Sequence, residues 1–142
     1  MKNVQSVQQT NQYMFNRVYK HLHKQNCTAV DEVGDCVYRA EDGTKCAAGC
    51  LISDKYYRES FEGHTSSDME GVPQDPAFAI KKSLRKAMDD SSFRLIRDMQ
   101  KAHDGYDTKG KYDMPFREYI AATFQNIARD YNLNPQVIYD VQ

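Results

Sequence analysis

Four cysteines, four histidines and a cluster of tyrosines beside an arginine are the side chains in this 142-residue chain with chemistry to offer. Cys27, Cys36, Cys46 and Cys50 lie nine, ten and four residues apart. Structural zinc sites are usually built from close C-x2-4-C pairs, two per ion, because each knuckle turn aims two thiolates at one metal. Only Cys46 and Cys50 make such a pair, as C-x3-C, and His21, His23 and His64 follow no ligand spacing. The expected state is therefore four reduced thiols in a small-residue core, with no cofactor and no metal. Should an ion bind, Cys27, Cys36, Cys46 and Cys50 are its candidate ligands. A nucleophilic thiol requires a positioned base and oxyanion donors, and spacing alone brings neither His64 nor His103 to a cysteine.

Two surfaces stand out by composition. Tyr38, Arg39, Lys45, Asp54, Tyr56 and Tyr57 concentrate hydrogen-bonding aromatics and charges, the residue types enriched at interaction hot spots, and form the candidate protein-binding face. An Arg39 pair with Asp54 or Glu62 would instead serve structure alone. Lys81, Lys82, Arg85 and Lys86, continued by Arg94 and Arg97, form the candidate nucleic-acid-binding face, although Asp89, Asp90 and Asp98 interrupt its positive field. His103-Asp104 invites comparison with metal-dependent HD phosphohydrolases, which need further His and Asp ligands on other helices. The simpler reading places His103 at a helix end and Asp104 in the turn.

These residues need elements to hold them. Residues 1–11 are rich in Gln and Asn and are expected as a flexible lead, with residues 12–142 as one globular domain. Met14, Phe15, Val18, Tyr19 and Leu22 share one helical face. Cys36, Tyr38 and Ala40 alternate with Val37 and Arg39, Asp42-Gly43 suits a turn needing positive φ, and a return strand is expected from Lys45. A short helix is expected over 55–61, and a polar loop over 63–75. Pro76 opens a helix with the stripe Ile80, Leu84, Ala87 and Met88. Asp89-Asp90-Ser91-Ser92 breaks it and caps the next, which carries Ile96, Met99 and His103. Phe116, Ile120, Phe124, Ile127 and Tyr131 mark the cleanest helix, and Asn134-Pro135 starts a last short one. The expected class is α+β: a mostly helical single domain with a small antiparallel β-hairpin packed on four or five helices.

The pattern C-x-Y-R, D-G-x-K-C-A-x-G-C-L-I-x-D-x-Y resembles a family of small bacteriophage proteins of uncharacterised function. It runs from Cys36, Tyr38 and Arg39 through Asp42, Gly43, Lys45, Cys46, Ala47, Gly49, Cys50, Leu51, Ile52, Asp54 and Tyr56, with Glu62-Gly63 beyond. His103-Asp104 and Ile127-Ala128 with Tyr131 match later, so the resemblance spans most of residues 12–133, while residues 64–75 have no counterpart. It implies a phage accessory protein and brings no catalytic mechanism. A formal charge of −1 argues against retention on nucleic acid by bulk charge. Neither a leader nor an apolar span is apparent, so a location in the host cytoplasm is expected, with no membrane partner. The function read from these features is binding and modulation of a host protein, such as a defence component, in the manner of an inhibitor. The alternatives are a cysteine- or metal-dependent hydrolase centred on Cys46, Cys50 and His103, and a nucleic-acid-binding accessory protein.

Overall fold

Helix α1, Val4–Gln25, runs through the centre of a computed structural model that describes residues 4–62, 74–106 and 114–141. Val7, Met14, Phe15, Val18, Tyr19 and Leu22 are buried along one side of it. Phe124 stacks obliquely on both Phe15 and Tyr19, with centroids 5.4 Å apart in each pair. Asn26 ends the helix in the left-handed region at φ 58°, one of the few non-glycine residues at ease there. The helix starts well inside the stretch expected as a lead. Gln and Asn look like lead-in composition, but here they are anchors. Gln12 donates to the Asn134 carbonyl and accepts from its N–H, Gln8 donates to the Asn132 carbonyl, and Asn11 donates to Ser91 Oγ.

The other helices are α2 (Gln74–Leu84), α3 (Asp90–Asp104), α4 (Phe116–Asp130) and α5 (Gln136–Asp140). Helices α3, α4 and α5 all pack on α1, whereas α2 rests on a single 3-10 turn, Gly49–Leu51. Asp89 caps α3: its carboxylate accepts from the N–H groups of Ser91 and Ser92, and Ser92 Oγ accepts from Asp89 N–H. Helix α2 ends at Leu84, so Ala87 and Met88 belong to the connector, where Met88 is still fully buried. The helix expected over 55–61 is only a 3-10 turn, Glu59–Phe61. Most of the 63–75 loop lies outside the described residues.

The class is all-α, which corrects the α+β expectation, because the described residues contain no strand. The turn at Asp42-Gly43 does form. Gly43 has φ 90°, and Asp42 Oδ1 accepts from the N–H and hydroxyl of Thr44. Yet pairing stops at two isolated bridges, Val30 with Cys36 and Arg39 with Lys45. A ladder needs backbone groups free to pair with each other, and here side chains have taken them. Gln25 accepts from Lys45 N–H and donates to the carbonyls of Lys45 and Cys27, and His21 donates to the same Lys45 carbonyl. Glu62 accepts from the N–H groups of Tyr38 and Arg39, Gln100 from Ala48, and Ser83 from Ser53. Residues 26–62 are a long connection whose backbone is satisfied partly by its own turns and partly by side chains of α1, α2 and α3.

One contact fixes how that connection folds over. The Gly49 backbone passes so near the Tyr38 carbonyl that a Cβ would sit 2.1 Å from its oxygen. Gly49 is buried within the turn that seats α2, so the small-residue run is needed for close approach.

Candidate functional site

The described residues hold one cluster of three potential metal ligands: a thiol, an imidazole and a carboxylate from Cys36, His103 and Asp104, their atoms within 4.8 Å of one another. Helix α3 supplies two of them at its last turn, and the 26–62 connection brings the third. His103 is completely buried. Its Nε2 accepts from Ala29 N–H at 2.9 Å, and its Nδ1 lies 2.7 Å from Asp104 Oδ1. These two partners set the tautomer. An imidazole that accepts at Nε2 carries its proton on Nδ1, donated here to Asp104.

That tautomer decides what the cluster does. No ring nitrogen is left to take a proton from Cys36, and a cation at Nδ1 would have to displace the only ring proton. Burial first, and then the neighbouring Asp104 carboxylate, push the Cys36 thiol up to about 12. Although Cys36 is exposed, this direction is the opposite of an activated cysteine. Asp104 also accepts from Gln100, whose amide oxygen holds Ala48 N–H. The group is a polar clamp that ties α3 to the connection at residues 29, 36 and 48. His103 thus acts from the interior, not as a charge at a helix end.

The other cysteines are spent separately. Cys46 Sγ accepts from Gly49 N–H and Cys50 Sγ donates to the Ala47 carbonyl, each within its own turn. Burial pushes both thiols up, Cys50 to about 12. Cys27 is half-buried, and its thiol is raised by burial and then by Asp42. Cys27, Cys36, Cys46 and Cys50 do not form one ligand set among the described residues.

The candidate protein-binding face divides in two. Arg39 Nη1 pairs with Asp54 Oδ1 at 2.7 Å, its Nη2 donates to the Ile52 carbonyl at 2.8 Å, and its guanidinium lies 4.3 Å over the Tyr57 ring. Tyr57 in turn donates to Glu62 and meets Phe61 edge-on, as does Tyr38. Burial, with the Glu62 bond second, raises the Tyr57 phenol. Tyr38, Arg39 and Tyr57 therefore brace the connection, and Lys45 is held through its backbone. Asp54 is exposed, and Tyr56 stands apart at α2.

Beside Arg39 opens a cleft of about 610 Å³ between two turns. Val30, Val37 and Ala40 line it with Val33, Arg39 forms part of its wall, and Asp31, Glu32, Glu41 and Asp42 bring four carboxylates. Val33 is 75% exposed in this lining. Both turns are fixed by their own aspartates: Asp31 accepts from Val33 and Asp35 N–H, and Asp42 from Thr44. Composition had pointed to the tyrosines. The signal for the cleft was the two acidic pairs Asp31-Glu32 and Glu41-Asp42, which only the folded chain brings to one lining.

The candidate nucleic-acid residues also separate. Lys82, Arg85 and Lys86 gather around aromatic rings at and beyond the end of α2. Arg97 pairs with Asp98, which accepts from Tyr131, and Arg94 acts on that same phenol. Lys81 is exposed on α2. No family, curated protein or solved structure matches the chain. No helix is long and apolar enough to cross a membrane among the described residues.

Proposed function

We propose that this chain is a phage accessory protein that acts in the host cytoplasm by binding a host protein and modulating it, through the cleft between residues 30–33 and 37–42. The occupant is a segment that carries basic side chains and small apolar ones. The cleft supports this reading: an apolar lining with an exposed valine, four carboxylates, and walls already ordered by Asp31 and Asp42. Walls that need no ordering on contact lose little entropy, so modest contact area converts to affinity. The carboxylates favour a cationic partner and reject acidic ones. The phage origin rests on the Cys36–Tyr56 motif. The clamp at His103 supports binding over catalysis, because both its ring nitrogens are engaged in holding the scaffold.

The test is an affinity capture from host lysate with the wild type, with a Glu32→Lys/Glu41→Lys variant and with a Lys81→Glu control. A stoichiometric partner retained by the control and lost by the cleft variant, with unchanged melting temperature, supports the reading. A partner bound equally by all three overturns the assignment of the cleft.

A further inference from the structure

Three aromatic rings at one side of the molecule sit under cations. Lys82 Nζ lies 5.4 Å from the Phe78 ring centroid and 5.9 Å from that of Tyr56, which Lys55 approaches to 5.5 Å. Lys86 Nζ lies 4.7 Å over Tyr13, whose hydroxyl accepts from Arg17 at 3.1 Å. Phe78 is 57% exposed and Tyr13 40%. A hollow of about 280 Å³ opens between Tyr56 and Phe78, edged by Arg58, Lys82 and one carboxylate, Asp75.

The backbone between the rings is strained for its residue type. Arg85 follows the end of α2 at φ 53°, where glycine is the usual occupant, and its N–H still closes on the Lys81 carbonyl. This geometry sends neighbouring side chains to different rings, Arg85 to the Tyr56 hydroxyl and Lys86 to Tyr13. The Arg85 hydrogen bond, then Lys55, hold the Tyr56 phenol below its ordinary value, as expected in a positive local field. A glycine there would relieve the backbone and lose the cation. The chain keeps the cation.

We propose that this strip binds single-stranded nucleic acid, with bases stacked on Phe78, Tyr56 and Tyr13 and phosphates held by Lys82, Arg85 and Lys86. The exposed Phe78 and Tyr13 and the half-buried Tyr56 offer ring faces to unpaired bases, which a duplex keeps stacked internally, and cations spaced between the rings fit the connecting phosphates. An acidic peptide would satisfy the cations but offer nothing to the ring faces. The strip is separate from the acidic cleft, so this inference stands or falls apart from the protein-binding reading.

The experiment is fluorescence anisotropy with labelled oligo-dT and oligo-U of about 20 nucleotides, against a duplex of equal length, as salt rises from about 50 to about 200 mM. Three phosphate contacts on a single strand give a log–log salt slope of about −2, or roughly a fifteenfold loss over that range. Arg85→Gly is the informative variant. It should melt at or above the wild-type temperature yet bind at least fivefold more weakly, and Phe78→Ala should weaken single-strand binding while leaving the salt slope unchanged. Preference between the two oligonucleotides reports whether a 2′-hydroxyl is read. The proposal is overturned if neither single strand binds at the lower salt, if the duplex binds as well, if Arg85→Gly binds like the wild type, or if polyglutamate competes as well as unlabelled oligonucleotide.

Discussion

Replacing Gly49 with alanine should destabilise the protein more than any other single added methyl in the connection. The new Cβ would lie 2.1 Å from the Tyr38 carbonyl oxygen, 2.9 Å from its carbon and 3.3 Å from its Cα. Backbone has no rotamer to retreat into, so the carbonyl or the 3-10 turn must move by about 1.3 Å to reach ordinary contact. That carbonyl also accepts from Cys46 N–H at 3.2 Å, a bond at the edge of its range that the movement breaks. Overpacking costs about 1–3 kcal/mol and the lost bond about 1 kcal/mol, so the sum is about 2–4 kcal/mol. For a chain this long the unfolding entropy converts it to a drop of about 7–13 °C in Tm. Gly43→Ala is the matched control. Its Cβ would meet nothing within 4 Å, so only the strain of φ 90° remains, about 1 kcal/mol or about 3 °C. The assay is thermal unfolding followed by circular dichroism, with urea titration for the free energy. A Gly49→Ala protein melting within about 2 °C of the wild type would refute the close approach of Gly49 to Tyr38.

The clamp makes three further predictions. His103→Phe keeps the volume but leaves Ala29 N–H unsatisfied and takes one of its donors from Asp104, and should cost about 2–4 kcal/mol in urea unfolding. Asp104→Asn removes a charge that holds the Cys36 thiol up, so iodoacetamide should label Cys36 several-fold faster at pH 8, by mass spectrometry. The thiols of Cys36 and Cys50, raised from 9.0 to about 12, are protonated in the fold at pH values where the unfolded chain releases protons. Their stabilisation is complete below about pH 9 and is lost as pH climbs toward about 12, so a Cys36→Ser/Cys50→Ser protein should lose less Tm than the wild type over that window.

The helices were legible because their apolar residues recur at three and four within a single turn-by-turn window, as Phe116, Ile120, Phe124 and Ile127 do. The connection was not, and the reason is physical. The Asp42-Gly43 turn signal was sound, but whether a strand forms after a turn depends on which groups satisfy its backbone. The partners here are Gln25, Glu62, Gln100 and His103, the last 74 residues from the amide it accepts. A local alternation cannot report that. The same distance hides the meeting of Cys36 with His103, since spacing alone brings His103 to no cysteine and the hydrolase alternative named Cys46 and Cys50 with it. Arg39 was legible in both of its possible roles, and its pair with Asp54 gives it to structure. The basic residues were grouped by helix face, and only the folded chain brings Tyr13 and Tyr56 to Lys86 and Arg85.

The proposed binding cleft is tested most directly by where a partner touches the chain. A photo-crosslinking amino acid placed at Val33, the exposed valine of the cleft, should yield one specific covalent product when the protein is expressed in host cells. The same group at Tyr139, 54% exposed on α5, should yield none. A single band at position 33 that disappears when Glu41→Lys is added is the predicted result. Labelling at 139 with none at 33, or a band indifferent to the charge reversal, would contradict the account.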